Sequence, residues 1–360
     1  MRHPYYIFTC GSIHRKDNTI AFRAGGGSYT PETDTTPDPT DHEEIIDLRM
    51  TTDKATQPAR HIPIRDIESL HIMGNITVNS TLLRFLGQHA IPMHCYNHYG
   101  YYSGTYYPRE YLHSGKLLVR QVESYSRDEA RIELVRHLVY GTGRNMLVVL
   151  AYYRNRGKGT AIAEGMIRDR LQDLERVSTV QQAMGLEGAM RNAYYSAFPA
   201  ILIPAIEFHG RIRQPPDNLA NALLSYCNGL LYTACIGEIF RTQLSPLVSF
   251  LHEPGERRFS LALDIADIFK PIFVDRLVFS LLNKRVITAN DVKTGERGCI
   301  LKDRARRDVV AAFDEKMRST IIHRKLEREV SLRRLIRLEC YKLVKHLIGD
   351  EEYHPFVAWW

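Results

Sequence analysis

Within Leu247–Arg285 (LVSFLHEPGERRFSLALDIADIFKPIFVDRLVFSLLNKR), one histidine and two aspartates stand in a largely apolar run. His252 closes an apolar segment, a Pro-Gly turn and the charged triplet Glu256-Arg257-Arg258 follow, and a helical pattern then carries Asp264 and Asp267. Being three residues apart, the two carboxylates share one helix face and can point at one place. Imidazole and carboxylates in this arrangement outline a metal site. Each also has a plainer reading. A histidine ending an apolar run is commonly a hydrogen-bonded cap, and helical aspartates are commonly solvated or complement the helix dipole. An unpaired carboxylate in an apolar run is costly, however, and a cation offsets that cost.

The helix that must position the aspartates is predicted over 259–284, where Leu261, Ile265, Ile268, Phe269, Ile272, Phe273, Leu277, Phe279 and Leu281 recur at three-or-four spacing. Pro271 inside it predicts a kink or a restart, because proline lacks the N–H and its ring clashes with the preceding turn. Apolar faces also predict helices at 127–140, 144–154, 160–177, 186–198 and 219–240. Glu187 falls between Gly185 and Gly188, ahead of Tyr194, Tyr195 and Phe198. Alone, it reads as a dipole-complementing charge near a helix start, although its small neighbours would let a helix or a phosphate backbone approach. Arg211 and Arg213, before the Pro215-Pro216 pair, suit bidentate phosphate contacts or simply form a basic loop.

The amino-terminal part has a different period. YYIFTC, TIAFR, EIIDLRM, HIPIRDIESLHI, NITVN, AIPMHCY and YYSGTYY read as strands, with hairpin turns at Lys16-Asp17-Asn18 and Gly74-Asn75 and one short helix at Ser80 to Gln88. The insert 24–43, rich in Gly, Pro, Thr and Asp, is expected to be a flexible loop. The predicted class is α+β: a small antiparallel β domain over 1–107, a linker over 108–125, and a larger all-α domain over 126–360.

The chain has 360 residues, 44% of them hydrophobic, which is enough for a large core and suits two domains. Lys and Arg (48) exceed Asp and Glu (41), and the net charge of +7 favours a polyanionic partner. The six cysteines show no close pairs, so neither a zinc ribbon nor a disulfide framework is expected and reduced thiols in a cytoplasmic protein are the default. MRHPYYIFTC lacks a leader's apolar core, and no eighteen-residue apolar run is evident, so neither secretion nor a membrane span is expected.

Four motifs in order carry a family resemblance. Gly185-Leu186-Glu187-Gly188, Arg211-Ile212-Arg213-Gln214-Pro215-Pro216 with Asn221-Ala222-Leu223-Leu224-Ser225-Tyr226, Phe250-Leu251-His252-Glu253-Pro254 and Ser260 to Pro271 resemble the CRISPR-associated spacer-integration family, Cas one. The ending Tyr353-His354-Pro355-Phe356 is also similar, and the run around His252 resembles the archaeal or type I-B-like branch. Two departures are Asn218, where many members have an acidic residue, and the long 24–43 insert.

The resemblance implies a β domain that forms a homodimer and a helical catalytic domain. It implies Glu187, His252 and Asp267 as ligands of Mg²⁺ or Mn²⁺, with Asp264 as a supporting acid among the catalytic residues. The implied reaction is metal-dependent attack of a captured fragment's 3′-hydroxyl on a CRISPR repeat, in the adaptation stage of antiviral defence, with cutting of branched, single- or double-stranded DNA by the same site. Arg211, Arg213, Arg257, Arg258, Lys270, Arg276, Lys284 and Arg285 are the implied DNA surface, extended by Lys302, Arg304, Arg306 and Arg307, and Tyr194 is a candidate contact for a DNA end. Implied partners are a small ferredoxin-like companion, Cas two, in a heterohexamer, and in some systems an iron–sulfur end-trimming nuclease. Two other classes are weighed beside this: a catalytically silent DNA-binding scaffold and an unrelated helical metallo-phosphoesterase.

Overall fold

A computed structural model describes residues 2–25, 59–112, 114–255, 259–295 and 298–359. The expected strand EIIDLRM, nearly all of the 24–43 insert, Arg257 and Arg258 lie outside the described residues. The chain divides into two compact units, Met1–His98 with Tyr102–Arg109, and Tyr99–Tyr101 with Glu110–Trp360.

The first unit contains β1 (His3–Ile7), β2 (Gly11–Lys16), β3 (Thr19–Ala24), β4 (Arg60–Pro63), β5 (Ile67–Ile72), β6 (Ile76–Val78), α1 (Ser80–Gln88), β7 (Met93–Tyr96) and β8 (Tyr102–Tyr106). These strands make two four-stranded sheets, ordered β1-β5-β7-β8 and β4-β3-β2-β6. Lys16 pairs with Thr19, so the β2–β3 hairpin turns on Asp17-Asn18, with Asp17 in the left-handed region at φ 54°. Gly74-Asn75 is not a hairpin turn, because β5 and β6 belong to different sheets. A Cβ at Gly74 would lie 2.7 Å from the Phe8 carbonyl oxygen, so glycine is required where the chain passes between sheets. The antiparallel pairs β2–β3, β3–β4 and β7–β8 are joined by parallel neighbours β1–β5, β5–β7 and β2–β6, whose long connections return each strand in the same direction. Ile13, Ile20, Ile67 and Leu70 are buried against Leu82, Phe85 and Leu86 of α1. Burying each such side chain stabilises the unit by about 1.5–3 kcal/mol.

The second unit contains α2 (Gly115–Ser126), α3 (Asp128–Arg154), α4 (Ala161–Asp173), α5 (Val180–Ser196), α6 (Phe198–Ile201), α7 (Leu219–Ile239), α8 (Ser260–Phe269), α9 (Arg276–Asn283), β9 (Val292–Gly295), β10 (Gly298–Leu301), α10 (Asp303–Arg318), β11 (Thr320–His323), β12 (Arg328–Ser331) and α11 (Leu332–Ile348). The α+β class is as expected, and the helical unit adds two short hairpins, β9–β10 and β11–β12. Part of the expected linker 108–125 is instead helix α2, capped by Ser114 and packed through Leu117, Gln121 and Ser124. Helix α7 is long and apolar enough to cross a membrane by length and composition, but it is buried nearly all round as a core helix.

Where two helices were predicted over 127–154, α3 runs unbroken through Gly141 and Gly143. Glycine disfavours a helix by about 1 kcal/mol, and tertiary packing overrides that. A Cβ at Gly143 would lie 2.8 Å from Met190 Sδ, and one at Gly141 2.6 Å from Pro355 Cβ. Both positions are small because neighbours close on them. Pro271 does not end its helix either; residues Lys270–Asp275 open into a π-helical segment and α9 resumes the α geometry. Gly141→Val should therefore destabilise the protein by about 1–3 kcal/mol through overpacking against the rigid proline ring, read as a lowered urea midpoint with unchanged slope.

Candidate metal centre

Asp264 is fully buried on α8 and accepts four hydrogen bonds. Its Oδ2 accepts from the Phe250 N–H (2.7 Å) and the Leu251 N–H (3.1 Å), and its Oδ1 accepts from the His252 N–H (3.0 Å) and imidazole Nδ1 (2.8 Å). A carboxylate can only accept here, so Nδ1 carries the proton and Nε2 is the ring's available lone pair when the imidazole is neutral. Nε2 lies 3.9 Å from Asp267 Oδ2. The loop is held from other sides as well. Gln121 donates to the Ser245 (2.9 Å) and Val248 (2.7 Å) carbonyls, Arg131 donates to the Phe250 carbonyl (2.8 Å), and the Ser249 hydroxyl donates to the His252 carbonyl (2.5 Å).

Asp267, one turn further along α8, faces α5. Arg191 bridges the two helices: its Nε pairs with Glu187 and its Nη2 lies 3.0 Å from Asp267 Oδ1, the oxygen that also meets Lys270 Nζ. Burial pushes the Asp267 carboxyl up, but Arg191, Lys270 and His252 together outweigh it and hold the group well below its ordinary range. At His252, burial lowers the proton affinity, and the bond to Asp264 with the field of Asp267 more than reverses it. A metal would compete with a proton at Nε2 and gain as pH rises.

The donor set suits a hard divalent cation: carboxylates on α5 and α8 and one oriented imidazole nitrogen. Arg191 Nη2 is buried without a well-formed hydrogen bond despite its proximity to Asp267. Positive charge is thus already drawn to this point. Asp264 has its acceptors filled by the loop it organises, so it orients rather than ligates. Among the described residues, the carboxylate and histidine atoms lying within 4.8 Å of one another belong to another group, Glu133, His137 and Glu352. There the carboxylates are exposed, and His137 Nε2 lies 3.6 Å from a Glu352 carboxylate oxygen.

Glu187 is two turns into α5, not at its start, because the Thr179–Gln182 capping box begins the helix at Val180. The dipole reading of Glu187 therefore fails. Arg191 was not singled out from the sequence, although an Arg four residues after a helical Glu is a standard pairing signal. Tyr194 is core, 1% exposed and edge-on to Phe198 at 5.1 Å. Arg211 is engaged inward, donating to Asn221 Oδ1 (3.1 Å) and Ser225 Oγ (2.8 Å). Arg276 lies over the Tyr152 ring, Lys302 Nζ donates to the Asn290 carbonyl, and Arg306 pairs with Asp303. Arg213, Lys284, Arg285, Arg304 and Arg307 are exposed.

Asp264→Asn replaces an oxygen acceptor by an NH₂ that cannot serve the loop amides; it should cost about 3 kcal/mol, measured by urea denaturation. Asp275, buried at the end of the π-helical segment, is pushed up to about 7 by burial, against the opposing fields of Arg191, Lys270 and Arg211. Between its ordinary range and pH 7 the native state keeps a proton that the unfolded chain releases. This site's contribution is therefore full in acid and declines as pH rises to about 7. Asp275→Asn should flatten that decline in metal-free protein, so that the variant gains on wild type at pH 8 relative to pH 4 in thermal unfolding.

A family model described as "CRISPR associated protein Cas1" matches residues 40–315. The CRISPR-associated endonuclease Cas1 of Fusobacterium nucleatum is 38% identical over 360 residues, covering 100% of this chain and 98% of that protein. A Cas1 protein from Thermotoga maritima has a solved structure with a TM-score of 0.82 at 32% identity, covering 98% of this chain and 99% of that one. A casposase bound to integration product shares the fold at 20% identity, with a TM-score of 0.81 over 99% of this chain and 93% of its own. Through the family match and full-length identity to a curated relative, this chain belongs to the Cas1 family of CRISPR-associated proteins.

Proposed function

We propose that this chain is a divalent-metal-dependent DNA integrase and endonuclease of CRISPR adaptation. It joins the 3′-hydroxyl of a captured DNA fragment to a phosphodiester of the CRISPR repeat and also cuts branched, single- or double-stranded DNA. The observation that carries this reading is the convergence of Glu187 from α5 with Asp267 from α8 through Arg191, beside an imidazole whose Nε2 faces Asp267.

Glu187, Asp267 and His252 Nε2 would hold Mg²⁺ or Mn²⁺, which supplies Lewis acidity toward the phosphate and lowers the pKa of an attacking hydroxyl. Asp264 keeps Nδ1–H donated inward, which fixes the ring and makes Nε2 more basic. Lys270 keeps a cation at the carboxylate edge, where a phosphodiester would approach. Attack by a DNA hydroxyl or by water makes no covalent protein intermediate, so no side-chain nucleophile is assigned. Exposed Arg213, Lys284, Arg285, Arg304 and Arg307 provide sequence-independent phosphate contacts, together with Arg257 and Arg258.

The same reading assigns the β unit to homodimer formation and a small ferredoxin-like companion, Cas2, to the bridge between two dimers in a heterohexamer. An iron–sulfur end-trimming nuclease completes the machinery in some systems. The place of action is the cytoplasm, where array DNA lies.

His252→Ala, assayed in Mn²⁺ with a 3′-hydroxyl DNA fragment and a supercoiled plasmid carrying a repeat, should lose joining by a factor of about 100 or more while its thermal unfolding stays cooperative. Undiminished joining by that variant overturns the assignment. Wild-type affinity for DNA should fall steeply with salt, as expected for phosphate contacts, and is read by fluorescence anisotropy over a salt series.

A further inference from the structure

Residues 353–359 form a strap held at several of its polar groups by two buried side chains, Glu339 and Asn145. The Tyr353 hydroxyl and the Phe356 N–H both donate to Glu339 Oε1, at 2.6 and 3.0 Å. Asn145, 0% exposed on α3, donates through Nδ2 to the carbonyls of Phe356 (3.0 Å) and Ile268 (2.8 Å), and its Oδ1 accepts from the Ala358 N–H (2.9 Å). The Phe356 ring stacks on Phe269 with centroids 5.3 Å apart, and Pro355 fills the space left by Gly141.

Ile268 is the residue after Asp267, and here the helical ladder changes. Pro271 cannot donate to the Asp267 carbonyl, and the π-helical segment begins at Lys270. A helix end with an interrupted ladder needs an outside donor to hold its geometry. Asn145 donates to the adjoining carbonyl, that of Ile268, and uses its remaining capacity to lock the strap over the same spot.

We propose that Asn145 is a positioning residue for Asp267: by pinning the strap 353–359 to the Ile268 carbonyl, it fixes the end of α8 and so the carboxylate offered to the metal. This rests on the metal-site reading above. Asn145 touches neither metal nor DNA and acts through the backbone of α8.

The test uses two variants of the full chain. Asn145→Ser shortens the donor, and Ala358→Pro removes the N–H that donates to Asn145 Oδ1 and also fixes φ at that buried position. Hydrogen exchange of the amides in 264–275 is followed in metal-free protein, and Mn²⁺ binding is titrated by electron paramagnetic resonance beside His252→Ala. Both variants should exchange about tenfold faster in that segment, with protection elsewhere unchanged, and bind Mn²⁺ about tenfold more weakly. Wild-type exchange and Mn²⁺ affinity in either variant overturn the proposal, as does a uniform loss of protection, which marks a merely structural role. If Asn145→Ser does not fold, Ala358→Pro decides alone. Mn²⁺ binding retained by His252→Ala shows instead that the metal site is misassigned, while the exchange result still judges the strap.

Discussion

The Asp264 carboxylate is the interaction on which the rest of the site depends. A carboxylate buried on an apolar helix is tolerable only if its acceptors are filled, and here three consecutive backbone N–H groups and an imidazole fill them. That requirement folds the segment 250–252 around the first turns of α8 and aims the His252 ring. Gln121 and Arg131, on α2 and α3, then hold the same loop from outside through its carbonyls. One buried charge thus converts a loop, which alone would be free to move, into a rigid presenter of Nε2.

The second constraint is charge balance across α5 and α8. Glu187 and Asp267 meet Arg191 and Lys270, and the mutual fields keep Asp267 ionised despite its burial. Buried ion pairs of this kind are poor evidence for stability, because desolvation offsets much of the attraction. They are better understood as a site kept charged for use: carboxylates held ready for a divalent cation beside cations suited to phosphate. The basic surface beyond them is solvated, while Arg211 is turned inward to brace the start of α7.

Legibility from sequence followed the locality of each interaction. The i,i+3 spacing of Asp264 and Asp267, the irregularity at Pro271, the β-then-α division and the boundaries of α1 all come from local pattern and agree with the structure. Nothing local tied Glu187 to the metal site; only its family resemblance linked it to His252, because the pairing is made by the crossing of α5 and α8. Asn145 sits in a predicted helix and Gln121 in the expected linker with nothing local to mark either, since their partners lie more than a hundred positions away. The continuity of α3 through Gly141 and Gly143, and the helical rather than linking character of 115–126, were hidden for the same reason: packing against distant residues outweighed local propensity.

The central claim is that His252, oriented by Asp264, forms one metal site with Glu187 and Asp267. Anomalous scattering from crystals soaked in Mn²⁺ tests it most directly. The account predicts a peak within about 2.0–2.6 Å of His252 Nε2 and of oxygens of Asp267 and Glu187, with Asp264 still bonded to the loop amides. A peak confined to Glu133, His137 and Glu352, or one coordinated by Asp264 in place of Glu187, would contradict it.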